Sequence, residues 1–222
     1  MRNKGEAWKT VRSHYERVFS IPWGETWYSS VMTPLALSAQ EHESLSTSRP
    51  EWPRCNEWQP YELIIETQVG LALVLAQTYL TNVISQVQNL HSDYKAVFGS
   101  DLNGFKTVRA ELLRHSASFY EDTRFTKVEA IEHLANYFKH HQEWGGRSKV
   151  LGRQAARTAA AVKELGVEAE LSLWFSRSLT NSVRSLGVSS PRDLPMLLRV
   201  IDDWKGEVGV LYRPVLTQEL SE

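Results

Sequence analysis

Apolar residues recur along this chain at a period near 3.6, in segments bounded by Pro, Gly and Ser/Asp stops, which predicts helices throughout. From Glu6 to Phe19, Trp8, Val11, Tyr15 and Val18 share one helix face, and Pro22 closes the segment. A long helix opens at Pro60, where proline suits a first turn, and runs to about Val97. Between Val69 and Leu75 its apolar residues go nearly all the way round, as in a helix at the centre of a fold. Gly99 ends it, Ser100 or Asp101 can cap a successor, and that helix is expected from Leu102 to Tyr120. Thr126 and Glu129 form a capping-box pattern that opens Lys127 to Trp144. After Gly145-Gly146, further helices are expected from Arg147 to Leu165 and from Glu168 to Leu186, each ended by a glycine. A short one follows from Ser190-Pro191 to about Trp204, and Val208 to Glu222 reads as extended chain. With no hairpin signal, phosphate loop or repeat, the pattern predicts an all-α fold, a single bundle of about five core helices.

Between Ser20 and Pro60 the character changes. Prolines 22, 34, 50, 53 and 60 argue against long regular elements there, while Trp23, Trp27, Trp52 and Trp58 are too apolar to leave in water. The expected organisation is therefore residues 1–59 as a first helix and a Trp/Pro-rich arm packed on the core. Residues 60–222 would form the bundle and its C-terminal extension.

A formal net charge of -1, from 25 basic and 26 acidic residues, argues against strong sequence-independent binding of polyanions, although a local basic patch remains open. Cys55 is the single cysteine, so the chain can form neither an internal disulfide nor a thiolate metal cage. The N-terminal residues lack the apolar stretch of a secretory signal, and the most apolar window, Val69 to Ile84, is shorter than a membrane span and contains Gln77, Thr78, Thr81 and Asn82. A cytoplasmic protein with no membrane association is expected.

Candidate chemistry gathers on the segment Thr126 to Trp144. Glu129, His133, Asn136, His140 and Glu143 follow one another at four- and three-residue spacing and so line one stripe, flanked by Lys139 and Glu132. Ile131, Leu134, Ala135 and Phe138 dock the other side. The stripe admits three readings: part of a metal site completed by His14, His42, His91 or His115; a polar surface for phosphate or a partner; or a solvated helix face.

The run Ala135-Asn136-Tyr137-Phe138-Lys139-His140, followed by Glu143-Trp144, resembles a motif of uncharacterised bacterial helical proteins. In the segment before it, Arg109 is followed after five residues by His115. This spacing resembles the Arg-x4–6-His motif of the HEPN superfamily of helical nucleases and nucleotide-transfer partners, over residues 60 to 187. Ala110 departs from the Asn or Asp common after that arginine. The resemblance implies a homodimeric, metal-independent ribonuclease of toxin or defence type that needs no cofactor. Arg109 would hold the scissile phosphate, His115 would act as acid–base, and RNA or an antitoxin-like protein would be the partner. His133, Asn136, Lys139 and His140 would contact the substrate. The alternative class is a non-catalytic helical module that binds a protein or nucleic acid.

Overall fold

A computed structural model describes residues 4–20, 24–48, 60–99, 107–144, 152–167 and 178–213. The described residues form an all-α bundle of eight helices with no strand. These are α1 (Lys4–Ser20), α2 (Ser29–Ser48), α3 (Pro60–Phe98), α4 (Arg109–Arg114), α5 (Lys127–Trp144), α6 (Arg153–Glu164), α7 (Ser178–Arg184) and α8 (Met196–Val210).

The 39-residue α3 is the axis of the molecule. Val69, Ala72, Leu73, Ala76, Tyr79, Leu80, Val83, Val87 and Leu90 are buried on its several faces, and α1, α2, α5, α7 and α8 pack around it. By length and apolarity alone α3 would suffice to cross a membrane, but 61% of its apolar window is buried inside the bundle. At Gly70 the approach of α5 is so close that a Cβ would land inside the Phe138 ring.

Two buried polar devices orient the outer helices. The Glu66 carboxylate, inside the core, accepts hydrogen bonds from the backbone N–H groups of Leu179 and Thr180, each at 3.0 Å, and from the Thr180 hydroxyl at 2.5 Å, so α3 caps the start of α7. On α8, Asp202 accepts from Tyr79 Oη at 2.5 Å and pairs with the buried Lys205 at 3.3 Å. The buried Trp204 donates its indole N–H to the Leu112 carbonyl at 3.0 Å, tying α8 to α4.

The structure departs from the sequence expectation in three elements. Pro34 does not keep residues 24–48 irregular: a π-helical turn (Gly24–Tyr28) leads into α2, 20 residues long with Pro34 inside it. Pro34 and Ser30 both lie on the exposed side, so the carbonyl that proline leaves without its N–H partner falls on the solvent face of the helix. The helix expected to reach Tyr120 stops at Arg114. Beyond it the Thr126 hydroxyl binds the Leu113 carbonyl at 2.7 Å, and Phe119 bridges Thr126 as extended chain, so the segment turns back to start α5. Finally, α8 runs on to Val210, past the expected end at Trp204. The segments containing Trp23, Trp52, Cys55, Trp58, Ser100, Asp101, Gly145 and Gly146, and those beyond Arg213, lie outside the described residues.

Candidate functional site

The α5 stripe divides into three environments. At its start the capping box forms as expected: Thr126 N donates to Glu129 Oε2 at 3.0 Å and Glu129 N to Thr126 Oγ1 at 3.2 Å. Glu129 also faces Arg114 of α4 at 3.4 Å. One turn on, His133 is half-buried. Its ring meets Phe125 edge-on at 5.1 Å, and its Nδ1 is buried without a hydrogen-bond partner. Burial pushes its pKa below the ordinary value of 6.5, only partly opposed by the Glu132 and Glu129 carboxylates.

Asn136 and Lys139 meet a residue of α3. Gln77, itself buried, donates Nε2–H to Asn136 Oδ1 at 3.0 Å and accepts from Lys139 Nζ at 2.7 Å. Both ends of one amide thus fix two side chains of the stripe. His140, beside Lys139, is exposed, and the side chain of Glu143 lies outside the described residues.

Arg109 forms the next rung of the same ladder. Its guanidinium grips Glu132, with Nε 3.1 Å from both carboxylate oxygens and Nη2 2.7 Å from Oε2, and Nη2 also donates to Thr81 Oγ1 at 3.2 Å. Gln77 and Thr81 are one turn apart on α3, as Glu132 and Asn136 are on α5, and Gln77 Nε2 also reaches the Glu132 carbonyl at 3.4 Å. Arg109, Asn136 and Lys139 therefore converge, through partners on α3 and α5, into one polar layer.

His115 lies at the other end of α4 from Arg109. Arg109 is the first residue of α4 and His115 its C-cap, and about 120° of helix rotation separates them. The Leu113–Thr126 bond places the end of α4 at the start of α5. From Thr126 to His140 helix α5 rises about 20 Å, well beyond direct hydrogen-bond reach.

Two of the four histidines suggested as completing a metal site have partners elsewhere. His14 contacts Asp93 at 2.8 Å, and His42 contacts the Ser38 carbonyl at 2.6 Å. Among the described residues no group of three or more His, Cys, Asp or Glu side chains is placed to hold a metal.

Sequence reasoning named Arg109, Asn136 and Lys139 but missed Gln77 and Thr81 as their partners. The available signal was two polar residues, four apart, within the most apolar stretch of the chain. The fold and this layer define an all-helical protein with a hydrogen-bonded cationic edge. Comparison with protein-family models, with characterised proteins and with solved structures returns no match.

Proposed function

We propose that this chain is a helical module of HEPN-like character that binds RNA without cleaving it. Its contact surface is the end of the ladder formed by Asn136, Lys139 and His140. The observation that carries the reading is Gln77: a buried amide in an apolar helix that holds Asn136 and Lys139 at once and also reaches the Glu132 carbonyl. Replacing both partners of a buried hydrogen bond with apolar groups of similar shape is often neutral or stabilising, so a purely structural helix contact has no need of it. An ammonium held in place beside an amide and an imidazole suits a phosphate and a flanking base edge. Arg109 serves in this reading as a clamp between α4 and α5, because Glu132 and Thr81 already take its guanidinium. The module works as a cytoplasmic, water-soluble bundle with α3 as its core helix.

A second reading, the metal-independent ribonuclease, is favoured by one feature: the exposed imidazole of His140 next to Lys139 places an acid–base group beside a phosphate holder.

Both are tested with a fluorescent oligoribonucleotide in EDTA, following anisotropy and chain length together. The module predicts salt-dependent binding with intact RNA. Lys139→Ala is expected to weaken binding several-fold and to lower the salt slope by about one. Gln77→Leu is expected to weaken binding several-fold and to lower the melting temperature only modestly, because Asn136 and Lys139 lose their partner but keep access to water. Cleavage abolished by His140→Ala, or by Arg109→Ala and His115→Ala, would replace the module with the nuclease. Absence of binding at low salt would overturn both.

A further inference from the structure

The polar edge of α5 continues onto its neighbour α6. The two helices pack together and run antiparallel: Glu164, in the last turn of α6, pairs at 3.3 Å with Arg124, which precedes the Thr126 cap of α5. The Glu164 charge also acts on the His133 ring, so the two side chains stand at the same level. Glu164, Arg157 and Arg153 follow one another at seven- and four-residue spacing and share one face of α6. His133 and His140 are likewise seven residues apart on α5. In an antiparallel pair, the step back from Glu164 to Arg157 equals the step forward from His133 to His140. Arg157 is therefore level with His140, and Arg153 lies one turn beyond.

This end of the helix pair is cationic. From Arg147 to Lys163 the chain has five basic residues and no acidic one, against a net charge of -1 for the whole. Arg153 and Arg157 are both exposed, with the exposed Ala156 as the small residue between them. They stand four apart, a spacing at which like charges repel, and α6 offers neither a carboxylate one turn away. The acidic residues towards the other end are already held by arginines. Glu129 faces Arg114 at 3.4 Å, Glu132 faces Arg109 at 2.7 Å, and Glu164 faces Arg124.

We propose that Arg153 and Arg157 are phosphate-binding residues that carry the backbone of an RNA strand across from α5 to α6. The inference rests on the RNA reading of Asn136, Lys139 and His140 and names the ligand more closely: an oligoribonucleotide, not a single nucleotide. Packed helices lie about 10 Å apart, and Arg153 and Arg157 are separated by about 6 Å along the axis, so the cations from Lys139 to Arg153 span about 15 Å. A stacked strand carries a phosphate about every 3.4 Å, which makes the span about four nucleotides. Each guanidinium can hold a phosphate through two parallel hydrogen bonds, a geometry an ammonium lacks. The α6 contacts supply affinity without reading sequence, and the amide and imidazole on α5 meet the base edge.

The test is anisotropy with fluorescent oligouridylates of two and eight nucleotides on the full chain, across a salt series. Wild type should bind the octamer well above the dinucleotide, with a salt slope of about 2 for three phosphate-bound cations. Arg153→Gln with Arg157→Gln should weaken octamer binding about tenfold and lower the slope to about 0.7, leaving the dinucleotide affinity and the thermal melt unchanged. Lys163→Gln, turned about 100° from this face of α6, should leave octamer binding near wild type. If the double variant binds the octamer as wild type does while Lys139→Ala weakens it, the α6 proposal fails and the α5 reading stands. Equal loss in Lys163→Gln would reduce the effect to overall charge and also overturn it. If neither oligomer binds wild type at low salt, both readings fail together.

Discussion

His133 keeps its ring against Phe125 and its Nδ1 away from any partner, so the folded protein favours the neutral imidazole. Burial lowers its folded pKa below 6.5, whereas in the unfolded chain it titrates near the ordinary value. The unfolded state therefore binds the extra proton first. The stability His133 contributes is present above about pH 6.5 and is lost as the pH falls toward the lower folded value. Thermal melts between pH 5 and 8 should show this loss, and His133→Phe should flatten that part of the profile. An unchanged profile in the variant would place the pH response in another group. The sequence assigned His133 to the polar stripe with His140, since spacing alone cannot tell a face that meets Phe125 and α6 from one that meets water. The same holds for Arg109: its charge was legible, but its grip on Glu132 depends on how α4 docks against α5.

Among the helices, α3 and α5 meet where a missing Cβ lets a ring through. Gly70→Ala would put a methyl group into the space of Phe138, and overpacking of that kind typically costs about 1–3 kcal/mol. Chemical denaturation of Gly70→Ala should show a loss of that size, partly restored by Phe138→Leu in the same chain. A neutral Gly70→Ala would mean that the helices separate without cost. Sequence reasoning recovered α5 to the residue because its signals are local: the capping box at Thr126 and Glu129 and the apolar side at Ile131, Leu134 and Ala135. It recovered α3 for the same reason, through Pro60 and a continuous apolar surface. It failed on α2 and α4, where the outcome is decided by tertiary partners. Pro34 is tolerated because its side of α2 faces solvent, and α4 ends early because Thr126 captures the Leu113 carbonyl.

Taken as one molecule, the bundle uses α3 in two opposed ways. Towards α5 it presents Gln77 and Thr81, which order a cationic edge, and towards α2 it presents Gln68, which donates to Ser38. A net charge of -1 makes any RNA contact local and sensitive to salt, instead of a product of the whole field. The all-α character follows from periodicity and stop signals alone. The ladder does not, because it joins residues 23 to 62 positions apart, a separation that helical spacing cannot connect. The most direct test of the account is an NMR titration of the isotope-labelled protein with a short oligoribonucleotide in EDTA, following backbone and side-chain amides. The account predicts shifts concentrated at Asn136 to His140 and at the side-chain amides of Gln77 and Asn136, with His115 and α2 unmoved. Shifts centred on His115, or none at Gln77 and Lys139 at saturating RNA, would contradict it.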